Sequence, residues 1–281
     1  MQTINAKKES ASLRFLYHTT VGRLLLKPLV APPISRLVGA FMSSSLSRPL
    51  IGRFVKKTGI RLSDYEDARY RSFNDCFTRK IKSENRPIPE EKDAFISPCD
   101  AYLSAYPIDG ESVFHVKGSD YSVAGLLGGN EALAKSYDGG TALIFRLCVH
   151  HYHRYIYLDA GKKGENVFIK GKLHTVRPIA LETFPVFVQN TREYTVLDTE
   201  GFGAVTQIEV GALLVGKIQN HHGAHTFVRG EEKGTFLYGG STVILLVPKG
   251  AVCFDERLFR ATEANEETEV QMGEVLGKRC P

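Results

Sequence analysis

Beyond Phe95 the sequence consists of short β-prone runs separated by glycine, and this pattern restricts the fold more than any other feature of the chain. Many short strands at near-regular spacing are typical of a mostly antiparallel β sandwich or barrel. The predicted strands are 101–107, 112–117, 141–149, 154–158, 167–169, 184–189, 194–198, 204–209 and 212–218. A strand, a turn and a second strand are predicted for 269–277, and a helical interruption for 122–135.

The residues before Phe95 have a helical pattern instead. Apolar side chains recur at three- and four-residue intervals between Ser63 and Lys82, which predicts a helix there. Helices followed by strands predict the α+β class, with N-terminal helices ahead of a mostly antiparallel β sandwich or barrel core. We divide the chain into a basic, apolar helical segment, residues 1–62, and a β-rich domain, residues 63–281.

Residues 11–57 combine leucine, valine and isoleucine with eight cations and contain no acidic residue. This composition is typical of helices that lie in the interface of an anionic membrane. A helical bundle packed on the main domain explains the same pattern, and one face can pack while the other touches lipid. The prolines at 28, 32 and 33 predict at least two helices. With Lys27 and Arg36 they also interrupt 24–46, the best candidate for a transmembrane span.

Composition argues against several other classes. The 281 residues are 43% hydrophobic and 24% charged, which is typical of a globular protein. A net charge of +5 without a nucleic-acid motif gives no reason to expect a nucleic-acid partner. The five cysteines are scattered without CxxC spacing, which predicts buried free thiols rather than a disulfide framework or a zinc site. The polar residues 1–10 do not resemble a secretory signal.

Two glycines and a serine, Gly239-Gly240-Ser241, lie between two apolar, β-prone runs. One interpretation is a hairpin turn, because glycine reaches the positive φ angles of tight turns. The other is chemical: a serine hydroxyl can attack the preceding, unhindered glycine carbonyl if a base removes its proton. The amide then becomes an ester, β-elimination breaks the chain, and the new N-terminus hydrolyses to a pyruvoyl group. The spacing alone leaves both interpretations open.

Five stretches are similar, in sequence and in order, to motifs of the phosphatidylserine decarboxylase proenzymes. They are YRSFNDCF at 70–77, SPCD at 97–100, YHR at 152–154, FLYGGSTV at 236–243 and VQMGEVLG at 270–277. The resemblance implies self-cleavage between Gly240 and Ser241, giving a β chain of residues 1–240 and an α chain of 241–281 that stay associated. It implies a pyruvoyl cofactor made from Ser241, no metal cofactor, and decarboxylation of phosphatidylserine to phosphatidylethanolamine. With the basic segment it predicts a peripheral protein on the cytoplasmic face of the cell membrane, and self-association is left open.

The resemblance also assigns roles to individual residues. Ser241 is the nucleophile, and Asp100 matches an acid that pairs with the catalytic histidine. His153 in the YHR motif matches that family's histidine directly. Many members carry a second histidine three residues later, where this chain has Ile156. We therefore expect His153 to serve as the base, with His150 or His151 as alternatives.

Other polar residues near these motifs have weaker assignments. Arg154 is a candidate for binding the substrate's phosphate or carboxylate, or an ordinary surface arginine. His221, His222 and His225 could join the first histidine cluster in a metal site, but no carboxylate at a fixed spacing supports one. Two alternatives to the decarboxylase therefore remain: a metal-dependent enzyme built on both clusters, and a membrane-binding β domain without activity.

Overall fold

The computed structural model of the chain describes residues 2–4, 11–67, 69–116, 119–213, 217–239 and 241–281. Its α-helices within these residues are α1 Ala11–His18, α2 Thr20–Leu29, α3 Pro32–Ser43, α4 Pro49–Thr58, α5 Phe73–Phe77, α6 Val123–Leu126, α7 Glu131–Lys135, α8 Pro178–Leu181, α9 Val186–Gln189 and α10 Glu256–Glu263. Short 3-10 turns lie at Ser45–Ser47, Leu62–Asp64 and Ser83–Asn85.

The strands of the described residues follow mainly after Phe95. They are β1 Gln2–Ile4, β2 Ala94–Ile96, β3 Ala101–Pro107, β4 Val113–Val116, β5 Ser119–Ser122, β6 Thr141–Leu147, β7 Arg154–Ile156, β8 Gly161–Lys163, β9 Val167–Ile169, β10 Arg192–Thr199, β11 Gly203–Val210, β12 Ile218–Asn220, β13 His225–Phe227, β14 Glu232–Phe236, β15 Ser241–Val247, β16 Val252–Phe254, β17 Glu267–Val270 and β18 Val275–Arg279. Every pairing among them is antiparallel.

Ten strands form one large sheet in the order β1-β17-β3-β6-β15-β11-β10-β8-β13, with β9 also paired to β10. Strand β15 lies between β6 and β11, and all seven of its residues are buried. Because side chains alternate along a strand, Ile244 and Leu246 face one hydrophobic core, and Val243, Leu245 and Val247 face the other. Strand β15 therefore lies between the two cores and contributes side chains to both.

The two faces of the large sheet are covered differently. One face packs against two three-stranded sheets, β12-β14-β7 and β16-β18-β2, which makes a β sandwich. The other packs against the β4–β5 hairpin and short helices that include α6 and α8. The α+β class is confirmed. Within the described residues the large sheet ends at β1 and β13, so the closed barrel of the sequence prediction is not formed.

The N-terminal helices pack on this domain with one face. Tyr17 and Val30 are buried in the core, and their hydroxyl and carbonyl oxygens accept hydrogen bonds from the main chain at Thr175 and Leu173. The other face carries large apolar side chains that are 37–75% exposed: Phe15, Val21, Leu24, Leu25, Leu29, Leu37, Phe41, Leu46 and Leu50. No single described helix is long and apolar enough to cross a membrane, although α2 and residues 33–43 pass that test as a pair bent by 60°.

Three local predictions are wrong. The helix predicted for 63–82 is reduced to α5, because Tyr65 and Ile81 form an antiparallel bridge and not a helical stripe. The strand predicted for 184–189 is the short helix α9, whose C-terminal carbonyls bind the guanidinium of Arg192. Only Ile218 of the predicted strand 212–218 belongs to a strand, and residues 214–216 lie outside the described residues. At 63–82 a contact distant in sequence thus outweighs local preference.

The prediction of free thiols is wrong for two of the five cysteines. Cys253 and Cys280 form a disulfide with a Cα–Cα distance of 5.1 Å, whereas Cys76, Cys99 and Cys148 are free. The bond joins residues 27 positions apart, and pairing of β16 with β18 brings them together. Sequence spacing could not show this pair, because sheet register determines which cysteines meet.

Candidate active site

The segment between β14 and β15 connects two different sheets. Strand β14 pairs with β12 and β7, whereas β15 pairs with β6 and β11. The hairpin interpretation of Gly239-Gly240 is therefore wrong, because the flanking strands do not pair with each other. Gly239 has a φ of 129°, a conformation that L side chains rarely adopt. Gly240 lies outside the described residues.

Ser241 begins β15 and pairs with Leu147 of β6. By strand alternation its side chain lies on the same face as Val243, in the layer between the large sheet and the β12-β14-β7 sheet. Its side chain is fully buried, and its hydroxyl has no hydrogen bond among the described residues. An unsatisfied buried hydroxyl costs about 1–3 kcal/mol. Such a group is a candidate for chemistry, since folding alone does not favour it.

His153 lies immediately before β7, in this same layer. Its carbonyl accepts a hydrogen bond from the Phe236 N–H at 2.9 Å, and its ring lies beside the backbone of Gly239. Its Nδ1 lies 3.0 Å from the carbonyl oxygen of His151. A carbonyl only accepts, so Nδ1 carries the proton and the neutral ring keeps a lone pair on Nε2. Among the described residues Nε2 has no hydrogen-bond partner.

Burial keeps this imidazole neutral. The side chain of His153 is fully buried, and burial lowers its pKa to about 3, although the hydrogen bond to His151 and the backbone of Gly239 raise it. The ring centroid of Phe77 lies 4.1 Å away and excludes water from one side. His153 therefore has the tautomer and the protonation state of a general base at neutral pH.

The two neighbouring histidines are less suited to this role. Nδ1 of His151 accepts a hydrogen bond from the Cys148 N–H at 3.0 Å, so the proton of its neutral ring is on Nε2. That buried Nε2–H can donate a hydrogen bond but has no lone pair to accept a proton. His150 is half-buried, and its Nε2 lies 3.4 Å from the Tyr102 hydroxyl. The geometry therefore favours His153 among the three as the base.

Asp100 lies in a second cluster. Arg86 binds both of its carboxylate oxygens, at 2.8 and 2.5 Å, and the Met272 N–H donates to Oδ1 at 2.8 Å. This clasp joins the SPCD and VQMGEVLG motifs, which the sequence placed far apart. The expected pairing of Asp100 with His153 is not formed in this structure, because the His151 carbonyl binds Nδ1 instead.

Position 156 lies beside the Asp100 cluster. The N–H of Ile156 donates to the Pro98 carbonyl at 3.0 Å, so position 156 is adjacent to the turn that holds Asp100. A histidine at that position would lie near the acid. The isoleucine side chain offers no donor, and Asp100 binds Arg86.

Helix α5 supports the segment before Ser241, a role that the sequence analysis missed. Ser72 and Asp75 form a capping box that begins the helix, and Asn74 then accepts a hydrogen bond from the Tyr238 N–H at 3.0 Å. The ring of Tyr238 packs edge-on against Phe77, 5.4 Å between centroids. The YRSFNDCF motif was recognised as a whole, but no spacing rule linked Asn74 to position 238.

Arg154 does not face an open site. Its guanidinium donates to Glu232 at 2.6 Å and to the Thr78 carbonyl at 2.8 Å, and its side chain is 16% exposed. His221 binds the same Glu232 oxygen at 2.7 Å. These contacts favour a structural arginine that joins β7, β14 and the end of α5, and substrate binding by Arg154 has no support in the geometry.

A cavity of about 590 Å³ lies between α4 and this site. Arg53 and Lys57 of α4 line one side, and Tyr102, His150 and Tyr238 line the other. The cavity thus extends from a basic helix of the N-terminal segment to a residue three positions before Ser241. It has the size of a small-molecule site and the charge to bind an anionic group.

The two histidine clusters do not combine. His150 and His151 group with Glu269, whereas His222 and His225 group with Glu231, and in each group the potential ligand atoms lie within 4.8 Å of one another. A single metal site built from both clusters is therefore not supported in the described residues. The carboxylate of the first cluster, Glu269, is distant in sequence, and that of the second, Glu231, lies beyond a turn.

The chain was compared with known proteins. Residues 73–278 match the model of the family described as phosphatidylserine decarboxylase. The phosphatidylserine decarboxylase proenzyme 2 of Clostridium acetobutylicum is 43% identical over 271 residues, covering 96% of this chain and 92% of the relative. The proenzymes of Ruminiclostridium cellulolyticum and Clostridium botulinum strain 657 are 41% and 39% identical, covering 94% and 95% of this chain and 90% and 92% of the relatives. Together with the motif clusters around Ser241 and Asp100, these matches show that the chain belongs to the phosphatidylserine decarboxylase family.

Proposed function

We propose that the protein is a pyruvoyl-dependent decarboxylase that cuts itself between Gly240 and Ser241 and converts phosphatidylserine to phosphatidylethanolamine. Family membership supports the substrate. One observation carries the mechanism: the buried, unpartnered hydroxyl of Ser241 lies in the layer that holds the free Nε2 of His153. The experiment that tests it incubates the purified protein with phosphatidylserine vesicles, measures carbon dioxide, and resolves the chains on a denaturing gel.

The steps of maturation follow from these groups. Nε2 of His153 takes the proton of the Ser241 hydroxyl, and the oxygen attacks the Gly240 carbonyl carbon. Cleavage of the C–N bond leaves an ester on the serine oxygen and a free amine on Ser241. Removal of the Ser241 α-proton expels the ester as the Gly240 carboxylate and leaves a dehydroalanine. Water then replaces its nitrogen, which departs as ammonia, and a pyruvoyl group remains.

The residues present fit this group. A pyruvoyl carbonyl at position 241 supplies an electron sink for the carboxylate that is lost. Strand β15 holds it in a dry layer, since position 241 is fully buried and pairs with Leu147 of β6.

The sheet explains how the two fragments would stay together. In the 41-residue fragment 241–281, β15 pairs with β6 and β11, β17 pairs with β3, and β18 pairs with β2. Each partner strand belongs to residues 1–240. The cut lies between two sheets and interrupts none of these ladders. Association of the β and α chains therefore requires no covalent bond.

The exposed face of residues 11–57 supports membrane binding. Its apolar side chains alternate with cations, as in Arg23, Leu24, Leu25 and Lys27 of α2, all of them exposed. Leucines below the headgroups and cations among them are the arrangement of an interfacial helix. The cavity beneath α4, which reaches Tyr238, would then open towards lipid. We propose a peripheral location on an anionic membrane.

Neutralising two cations of this face should weaken membrane binding. Arg23→Gln/Lys27→Gln should partition onto phosphatidylserine-containing vesicles roughly 30-fold less, because each cation near an anionic surface contributes about 1 kcal/mol. Vesicle sedimentation at increasing salt measures this, and the difference should shrink as salt screens the charges. The matched control is Lys135→Gln/Lys249→Gln, which removes two exposed lysines outside the segment. Equal loss in both variants would contradict a docking role for α2.

Replacing Asp100 shows whether this acid orients His153 for cleavage or stabilises the fold by binding Arg86. Removing the acid of a catalytic triad slows hydrolysis by about four orders of magnitude. In the structure the His151 carbonyl, and not Asp100, orients the ring of His153. We therefore expect Asp100→Asn to slow cleavage less than about tenfold. It should instead destabilise the fold by up to about 3 kcal/mol, because Arg86, 15% exposed, loses its partner.

The double variant Arg86→Gln/Asp100→Asn provides the control for this prediction, since it removes both charges. Its unfolding free energy should recover part of the loss. Urea unfolding and a cleavage time course of freshly made protein measure the two effects. A cleavage defect of a thousandfold or more in Asp100→Asn, at unchanged stability, would show that the acid acts on the base directly.

A further inference from the structure

The loop between β12 and β14 brings together two histidines and a glutamate outside the proposed active site. Nε2 of His225 lies 2.8 Å from Oε1 of Glu231, and Nε2 of His222 lies 3.6 Å from the same oxygen. The two imidazole rings stack with their centroids 4.0 Å apart, and the potential ligand atoms of the three residues lie within 4.8 Å of one another. Their side chains are 28–29% exposed, which leaves access from solvent.

The distances match the requirements of a small transition-metal ion. Zinc bonds of about 2.0–2.2 Å to nitrogen and oxygen place tetrahedral ligands about 3.3 Å apart. The two measured separations, 2.8 and 3.6 Å, bracket that value. Two imidazoles with one carboxylate favour zinc and its neighbours over magnesium or calcium, which prefer oxygen ligands alone. We propose that His222, His225 and Glu231 form a binding site for a divalent transition-metal ion such as Zn²⁺.

Contacts behind the ligands support a built site. The buried Tyr157 hydroxyl lies 3.2 Å from Nδ1 of His222, and the Val228 N–H donates to Oε2 of Glu231 at 3.1 Å. Nδ1 of His222 and Oε2 of Glu231, which face away from the proposed site, are thus hydrogen-bonded. Nε2 of His222 and Oε1 of Glu231 remain close together at the site. Such outer partners are typical of metal ligands, because they orient the ring and the carboxylate before the ion arrives.

The backbone of the loop is anchored as well. Nζ of Lys163, a buried residue, donates to the carbonyls of His222 and Gly223 at 3.1 and 2.6 Å, and Glu165 accepts from the Ala224 N–H at 3.1 Å. A Cβ at position 223 would lie 2.7 Å from a Glu165 oxygen, so a larger residue there would displace the Glu165 carboxylate. The charge of Lys163 is directed at these carbonyls, and a preformed loop lowers the entropic cost of binding.

The second histidine group is less suitable. Nδ1 of His151 accepts from the Cys148 N–H, so the only other nitrogen of that neutral ring carries its proton within a closed core. An ion at the Glu231 group would instead tie the loop to the start of β13 and to the turn that begins β14. Strand β14 leads to Ser241, so the ion would act as a structural clip, and this role does not depend on the proposed catalysis.

The test uses tag-free, full-length protein stripped of metal by a chelator. Calorimetric titration with Zn²⁺ should show one site per chain, and Co²⁺ should give the visible absorption of a tetrahedral complex. His222→Ala, His225→Ala and Glu231→Gln should each weaken zinc binding by more than about 100-fold. Tyr157→Phe should weaken it by about 10- to 100-fold, the usual effect of losing an outer partner.

Two control variants locate the ion. His221→Ala removes the adjacent histidine, which binds Glu232, and Glu269→Gln disables the other group. Both should bind zinc as the wild type does. Metal-free thermal unfolding shows whether each variant is folded, and zinc should raise the unfolding temperature of the wild type but not of His225→Ala. No zinc binding by the wild type would overturn the proposal, as would binding that is lost in Glu269→Gln and kept in His225→Ala.

Discussion

Ser241→Ala should abolish both maturation and decarboxylation. Without the hydroxyl the chain has neither the nucleophile nor the source of the pyruvoyl group, so the loss should be complete. On a denaturing gel we expect a single 31.2 kDa chain, and the wild type should show the 41-residue fragment as a separate band. Mass spectrometry of that fragment should show a pyruvoyl N-terminus. A Ser241→Ala protein that still splits at this junction would mean that another protease makes the cut.

Thr242 provides a matched control for this variant. It follows Ser241 on β15, is equally buried, and its hydroxyl also has no hydrogen bond among the described residues. By strand alternation it faces the opposite core. Thr242→Val should therefore mature and decarboxylate at near wild-type rates. Ser241→Cys should cleave slowly, because a thiol also permits the acyl shift.

His153→Asn should leave an intact precursor or slow its cleavage by about 10²- to 10⁴-fold, the usual contribution of a general base. Asparagine can still donate to the His151 carbonyl, but it has no lone pair at the position of Nε2. The measurement is the disappearance of full-length protein after a synthesis pulse. Because cleavage is a single turnover, an end-point gel would miss a partial defect.

The neighbouring histidines are the controls for this assignment. His150→Ala and His151→Ala should cleave at near wild-type rates, because neither ring presents a free lone pair beside Gly239. Normal cleavage in His153→Asn together with a stalled His151→Ala would move the base to His151. If all three mature normally, the base is outside this cluster.

The pH dependence of cleavage gives an independent check. Because the pKa of His153 is lowered to about 3, its ring stays neutral and the cleavage rate should be constant between pH 8 and 5. A histidine with the ordinary pKa of about 6.5 would lose about tenfold between pH 8 and 5.5. The linked effect on stability has a definite sign: the unfolded chain binds a proton that the folded chain does not. Stability should therefore fall as the pH drops from about 6.5 towards 3.

Sequence alone was sufficient for the class of fold and for the family to which the chain belongs. The β-prone runs predicted β3 at its observed bounds, because alternation and β propensity act within a single strand. The acid-free segment 11–57 predicted helices with two unlike faces. The order of the five motifs identified the family and indicated Ser241 and His153. Each of these signals is local, so each can be read along the chain.

The tertiary structure decided which residues distant in sequence contact each other. Sheet register, and not spacing, joined Cys253 to Cys280, and a turn brought Glu231 to two histidines that lacked a visible carboxylate. The most consequential of these partnerships is that of Asp100. With Ile156 in place of a second histidine, Asp100 binds Arg86, and a backbone carbonyl orients His153. Side-chain identity set which partners were available, but the free energy of packing in three dimensions selected among them.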